Sequence, residues 1–114
     1  MIAEIVEKQE HFVTGLSEQD KNKIEAEILL LVDKWIGKGN TVPFSAYQIA
    51  PIGDWSQMFL KPLKDLEHNN PKNDASGNFG HLLWNVILKH PRIFFVSESE
   101  HNNRIVKSYR LITD

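Results

Sequence analysis

The chain contains no cysteine. Disulfide staples, thiolate metal sites and cysteine nucleophiles are therefore excluded, and the absence fits a reducing compartment. Long hydrophobic runs are missing as well. No stretch approaches ~18 uninterrupted apolar residues, so no membrane span is expected. The opening Met1-Ile2-Ala3-Glu4-Ile5-Val6-Glu7 lacks a basic leader and a continuous apolar run, which argues against a secretory signal. A cytoplasmic location is the expectation. A strong charge of one sign is also absent, because 13 Lys and Arg face 15 Asp and Glu.

What is there suffices for one core. The 114 residues include three Trp, six Phe and two Tyr, and 41% are apolar. That length fits a single domain, 1–114, that buries its apolar surface without a staple. The small net charge of −2 hides an asymmetry. Residues 1–60 carry nine acids and five lysines, whereas 61–114 carry eight basic residues and six acids. The basic character gathers mildly on the C-terminal third.

Periodicity predicts a mostly helical α+β order. Ile2, Ile5, Val6, Phe12, Val13 and Leu16 fall on one stripe, so residues 2–14 of the N-terminal segment 1–16 read as an amphipathic helix. Ser17 caps a second helix running to about Ile36, with Ile24, Ile28, Leu31, Val32 and Trp35 inward. Gly37 stops it. Val42-Pro43-Phe44 is extended, because proline disfavours helix in the residue before it. Ser45 caps a short helix over 46–50. A further helix is expected from Trp55 through Met58, Phe59, Leu63 and Leu66, kinked at Pro62. Residues 68–78 read as a solvated loop. Ser76 or Asn78 opens the next helix, which Pro91 ends after about Lys89. Residues 92–97 and 104–112 form two strands around a polar turn at 98–103.

From the second helix onward this order resembles the winged-helix superfamily. The resemblance covers residues 18–112. It rests on Val42-Pro43-Phe44-Ser45 as a short strand entering a helix, on Phe79-Gly80-His81-Leu82-Leu83 opening a recognition helix, and on Phe94-Phe95-Val96 running into a wing. The stretch 79–96 is also similar to the end of LOTUS-type winged helices, which implies RNA or protein partners. The stretch 51–77 departs from the pattern, being far longer than a ~3–4-residue turn.

Nothing in the sequence carries recognisable catalysis, and a non-enzymatic protein without metal or cofactor is expected. None of the five histidines, His11, His68, His81, His90 and His101, forms an HExxH pair. Gly37-Lys38-Gly39 is a helix stop. Gly77-Asn78-Phe79-Gly80 precedes the expected helix, where backbone amides can meet an anion.

The helix 79–90 is more informative. On a wheel of 100° per residue, Phe79, Leu82, Leu83, Val86, Ile87 and His90 face inward. The opposite arc holds His81, Trp84, Asn85, Leu88 and Lys89. As implied by the winged-helix resemblance, Asn78, His81, Asn85 and Lys89 would face bases in a groove. Arg92, Arg104, Lys107 and Arg110 would touch phosphates, DNA more readily than RNA. The alternative is a protein-interaction module using Trp84 and Leu88. Homodimerisation through Ile2, Ile5, Phe12 and Val13 is a further expectation.

Overall fold

The computed structural model describes residues 1–3, 8–55 and 60–112. Within them lie four α-helices followed by an antiparallel hairpin, an α+β arrangement. Helix α1 spans Glu18–Ile36, α2 Ala46–Ile49, α3 Lys61–Asn69 and α4 Ala75–Lys89. A 3₁₀ turn, Ala50–Ile52, extends α2. The strands are β1, Phe94–His101, and β2, Arg104–Leu111.

Local chemistry explains most boundaries. Ser17 Oγ accepts from the Asp20 amide at 3.1 Å, which satisfies an otherwise orphaned donor of α1. Gly37 ends α1 at φ 50°, a conformation that costs a side chain and costs glycine little. Ser45 and Gln48 form a reciprocal capping box on α2. Asp74 caps α4 through the Ser76 amide.

Three expected boundaries are corrected. Pro62 does not kink a helix. It sits in the first turn of α3, where its missing N–H costs nothing. Met58 and Phe59 lie outside the described residues. Helix α4 starts at Ala75, so Gly77 and Gly80 lie inside it rather than in a loop before it. Strand β1 continues to His101, and the turn shrinks to Asn102-Asn103. Both take positive φ, 52° and 64°, as a two-residue hairpin turn requires.

The expected N-terminal helix is absent among the described residues. Residues 8–13 run as a strap without regular secondary structure along α4. Ile2 pairs with the start of β1 in a parallel bridge to Phe94 and is buried. An isolated helix of that length is marginal without a packing face. Here the backbone finds partners elsewhere: the Ala3 amide donates to Phe94 O, and the Phe94 amide to Met1 O.

A third strand position flanks the hairpin at its base. Phe44 and Tyr109 exchange both backbone hydrogen bonds, at 2.9 and 2.7 Å. The core gathers behind this edge. Phe44 meets the Phe94 ring edge-on at 6.0 Å and lies 5.8 Å from that of Tyr109. Ile24, Ile28 and Val32 of α1 and Phe79, Leu82 and Ile87 of α4 complete it, all fully buried. The C-terminal end of α4 is closed twice. The Met1 amino group donates to the carbonyls of Ile87, His90 and Arg92 at this negative end of the helix dipole, while burial, and then Lys8, lower its pKa to about 6. His90 is hydrogen-bonded to Asp33 of α1 at 2.7 Å.

Candidate nucleic-acid interface

The inward arc of α4 is placed as its periodicity predicts, but Trp84 and Asn85 of the opposite arc are buried, while His81 and Lys89 stay exposed. The strap accounts for that burial. Asn85 is fully buried. Its Oδ1 accepts from the His11 amide at 2.6 Å, and its Nδ2 donates to His11 O at 2.8 Å and to Glu25 Oε2 at 3.0 Å. One amide side chain thus holds both backbone groups of His11 as a neighbouring strand would. Trp84 is 3% exposed, and its Nε1 donates to Gln9 O at 2.8 Å. The His11 ring stacks on the indole at 5.5 Å.

These contacts overturn several expectations. Asn85 cannot read a base edge while it holds the strap. Trp84 and Leu88 do not form an exposed partner face, since Trp84 is buried and Leu88 packs partly against the core. Of the expected dimer stripe, Ile2 and Val13 are buried in the chain's own core, Phe12 is 78% exposed, and Ile5 lies outside the described residues.

Charge neutralisation removes another candidate. Lys89 reaches Glu25 at 2.7 Å and Glu10 of the strap at 2.8 Å. Lys21 bridges the same two acids at 3.4 and 3.7 Å. The cluster balances two cations against two anions, which is how buried charge is tolerated. Hydrogen bonding from Lys89 holds the Glu10 carboxyl below its ordinary pKa. Burial alone lowers the Lys89 pKa, but its bonds to Glu10 and Glu25 outweigh that and raise it. Nothing local in the sequence signals this network, because Glu10, Lys21, Glu25 and Lys89 meet only once the strap lies against α1 and α4.

The other expected contacts scatter. Asn78 is half-buried, and its Nδ2 is enclosed without a hydrogen-bond partner. Arg92 is exposed. Arg110 lies over the Phe95 ring at 4.9 Å. Arg104, beside the hairpin tip, pairs with Asp74 at the start of α4. That bond holds Asp74 below the usual carboxyl range. Tyr47 meets His101 edge-on at 5.9 Å, so the tip is tied to α2 as well.

Between these ties lies an open groove of about 690 Å³. The N-terminal half of α4 forms one side of it, α2 and its 3₁₀ turn another, and β2 the third. Leu83, Trp84 and Tyr109, nearly or fully buried, make its floor. Tyr47 and Ile105, 52% and 72% exposed, stand at its mouth. Gly77 and Gly80 leave the α4 side low, and a Cβ at Gly80 would meet nothing. Lys107 places Nζ 3.8 Å over the Trp84 ring. His81 Nδ1 lies 2.8 Å from His11 Nδ1, a contact in which only one of the two nitrogens carries the proton. Burial, and then Lys107, lower the His81 pKa. Of the eight expected nucleic-acid contacts, His81, Arg104 and Lys107 converge here. Tyr47, Pro51 and Ile105 were not singled out by the sequence, since short-helix and hairpin residues acquire a shared surface only on folding.

Among the described residues, no three His, Asp or Glu side chains converge to hold a metal. No described helix is long and apolar enough to cross a membrane. No protein-family model matches this chain, and no curated protein or solved structure matches it.

Proposed function

We propose that this chain is a winged-helix nucleic-acid-binding protein that grips the backbone of duplex DNA more than it reads bases. The observation that carries this reading is the convergence of Arg104 and Lys107 of β2 on the groove beside the open first turns of α4. The extended residue Phe44, bridged to Tyr109 of β2, supports the winged-helix reading, whose order places a short strand before the helix-turn-helix and the wing.

In this reading α4 offers only Ser76, Gly77, Gly80 and His81 to the nucleic acid. The two glycines let a phosphate approach the helix backbone closely. Lys107 approaches the same strand from the hairpin, and Arg104 joins it by exchanging its Asp74 partner for a phosphate. Asn85, Trp84 and Lys89 take no part. With so few base-reading groups and a net charge of −2, affinity belongs in the range of non-specific binding, about 10⁻⁴–10⁻⁶ M at physiological salt.

Fluorescence anisotropy on a short labelled duplex tests the reading across a salt series starting at ~50 mM. Each lost phosphate contact lowers the slope of log affinity against log salt by about 0.9. Lys107→Glu and Arg104→Glu should each flatten the slope and weaken binding. Absence of binding at ~50 mM salt, or a slope indifferent to both changes, refutes it.

A further inference from the structure

The groove has a floor and a mouth that backbone contacts leave unused. Its floor is apolar and its mouth carries Tyr47 and Ile105, two large side chains left facing solvent beside an open cavity. Exposed apolar surface gathered at a concavity of this kind is characteristic of ligand sites. The volume, about 690 Å³, falls within the ~300–1,000 Å³ typical of small-molecule pockets.

The charges around it define the ligand further. Arg104 is engaged by Asp74. Lys107 stands opposite Glu98 in the hairpin register, yet among the described residues no carboxylate lies within ion-pair distance of it. Its ammonium rests on the Trp84 ring instead, which only partly replaces an anionic partner. Glu98 also borders the groove and opposes a second negative charge. The Trp84 Nε1 is occupied by Gln9 O and cannot serve as a donor. What remains is one cation over an aromatic floor, with His11, Ser76 and His81 on the α4 side and Ala50, Pro51 and Ile105 as apolar wall.

We propose that this groove is a binding site for a small planar monocarboxylate of one or two rings. The carboxylate sits on Lys107 Nζ, and the ring lies between the Ala50-Pro51 turn and Ile105. A dianion such as a phosphate monoester is disfavoured by Glu98 and by the single available cation. The hairpin ties, Arg104 to Asp74 and Tyr47 to His101, hold one wall of the site in place. The assignment does not depend on nucleic-acid binding, although an occupied groove would compete for Lys107.

The probe is 2-naphthoate, titrated calorimetrically into the full chain without nucleic acid, with neutral 2-naphthamide as its pair. Naphthoate should bind saturably, and naphthamide about 10-fold more weakly, as loss of a charge-assisted bond implies. Lys107→Met should weaken naphthoate by about 10- to 100-fold while leaving naphthamide unchanged. Ile105→Asp, at a solvent-facing position that folding does not need, should weaken both. Circular dichroism establishes that each variant is folded. No saturable heat with millimolar naphthoate overturns the site, and so does equal binding of naphthoate by the wild type and Lys107→Met. Because duplex binding is measured separately, failure of one reading leaves the other standing.

Discussion

Replacing Asn85 with alanine tests the central structural claim, that α4 is held under a strap rather than presented to a groove. Asn85 is completely buried and makes three hydrogen bonds, two to the His11 peptide and one to Glu25. Each is worth about 0.5–1.5 kcal/mol net, and a buried group left without its partner costs about 1–3 kcal/mol. Water can reach the His11 peptide once the strap loosens, which limits the loss. Glu25 keeps Lys21 and Lys89. The expected destabilisation is about 2–4 kcal/mol, large against typical domain stability. Urea unfolding followed by tryptophan fluorescence measures it. Amide exchange localises it: the His11 amide should lose protection, while amides in the middle of α1 change only with global stability. Asn85→Asp should be worse at neutral pH, because it sets a second carboxylate against Glu25 and removes both donors. Its penalty should shrink on acidification as one of the two acids takes a proton. A loss under ~1 kcal/mol in Asn85→Ala, with the His11 amide still protected, refutes the clamp. Loss of duplex affinity with stability unchanged would restore Asn85 as a base reader.

Two further predictions follow from the groove. The His81 pKa is lowered by burial and by Lys107, so the folded protein releases that proton more readily than the unfolded chain, whose value is 6.5. In the window below 6.5 the unfolded chain binds more protons, and stability falls as pH drops through it. His81→Gln should flatten this dependence in denaturation midpoints taken from pH 7.5 to 5.5; an unchanged profile counts against the assignment. Asp74 both caps α4 and pairs with Arg104. Asp74→Ser keeps the cap and loses the pair, whereas Asp74→Ala loses both and should cost about 1 kcal/mol more. Equal thermal midpoints for the two variants would show that the cap contributes nothing.

Local chemistry made much of the scaffold legible. Ser17 and Gly37 bracket α1 through groups in immediate sequence contact, and the Asn102-Asn103 pair supplies the positive φ of a tight hairpin. The inward stripe of α4, from Phe79 to Ile87, followed from a period of 3.6 because Phe79, Leu82, Leu83, Val86 and Ile87 make that side apolar. The N-terminal segment misled for the same reason. Its apolar spacing suits a helix, yet Ile2 gains more by joining the edge of β1 and Val13 by entering the core.

The sequence alone therefore determined α1, α2, the hairpin and the apolar side of α4, because caps, turns and periodicity act within a few residues. Only the tertiary structure decided what α4 shows to solvent. Asn85 and His11 are 74 positions apart, and Lys89 meets Glu10 and Glu25 across similar distances along the chain. No local pattern encodes such pairings. Whether a polar residue on a helix reads a partner or is consumed inside the fold depends on which distant segment arrives to satisfy it.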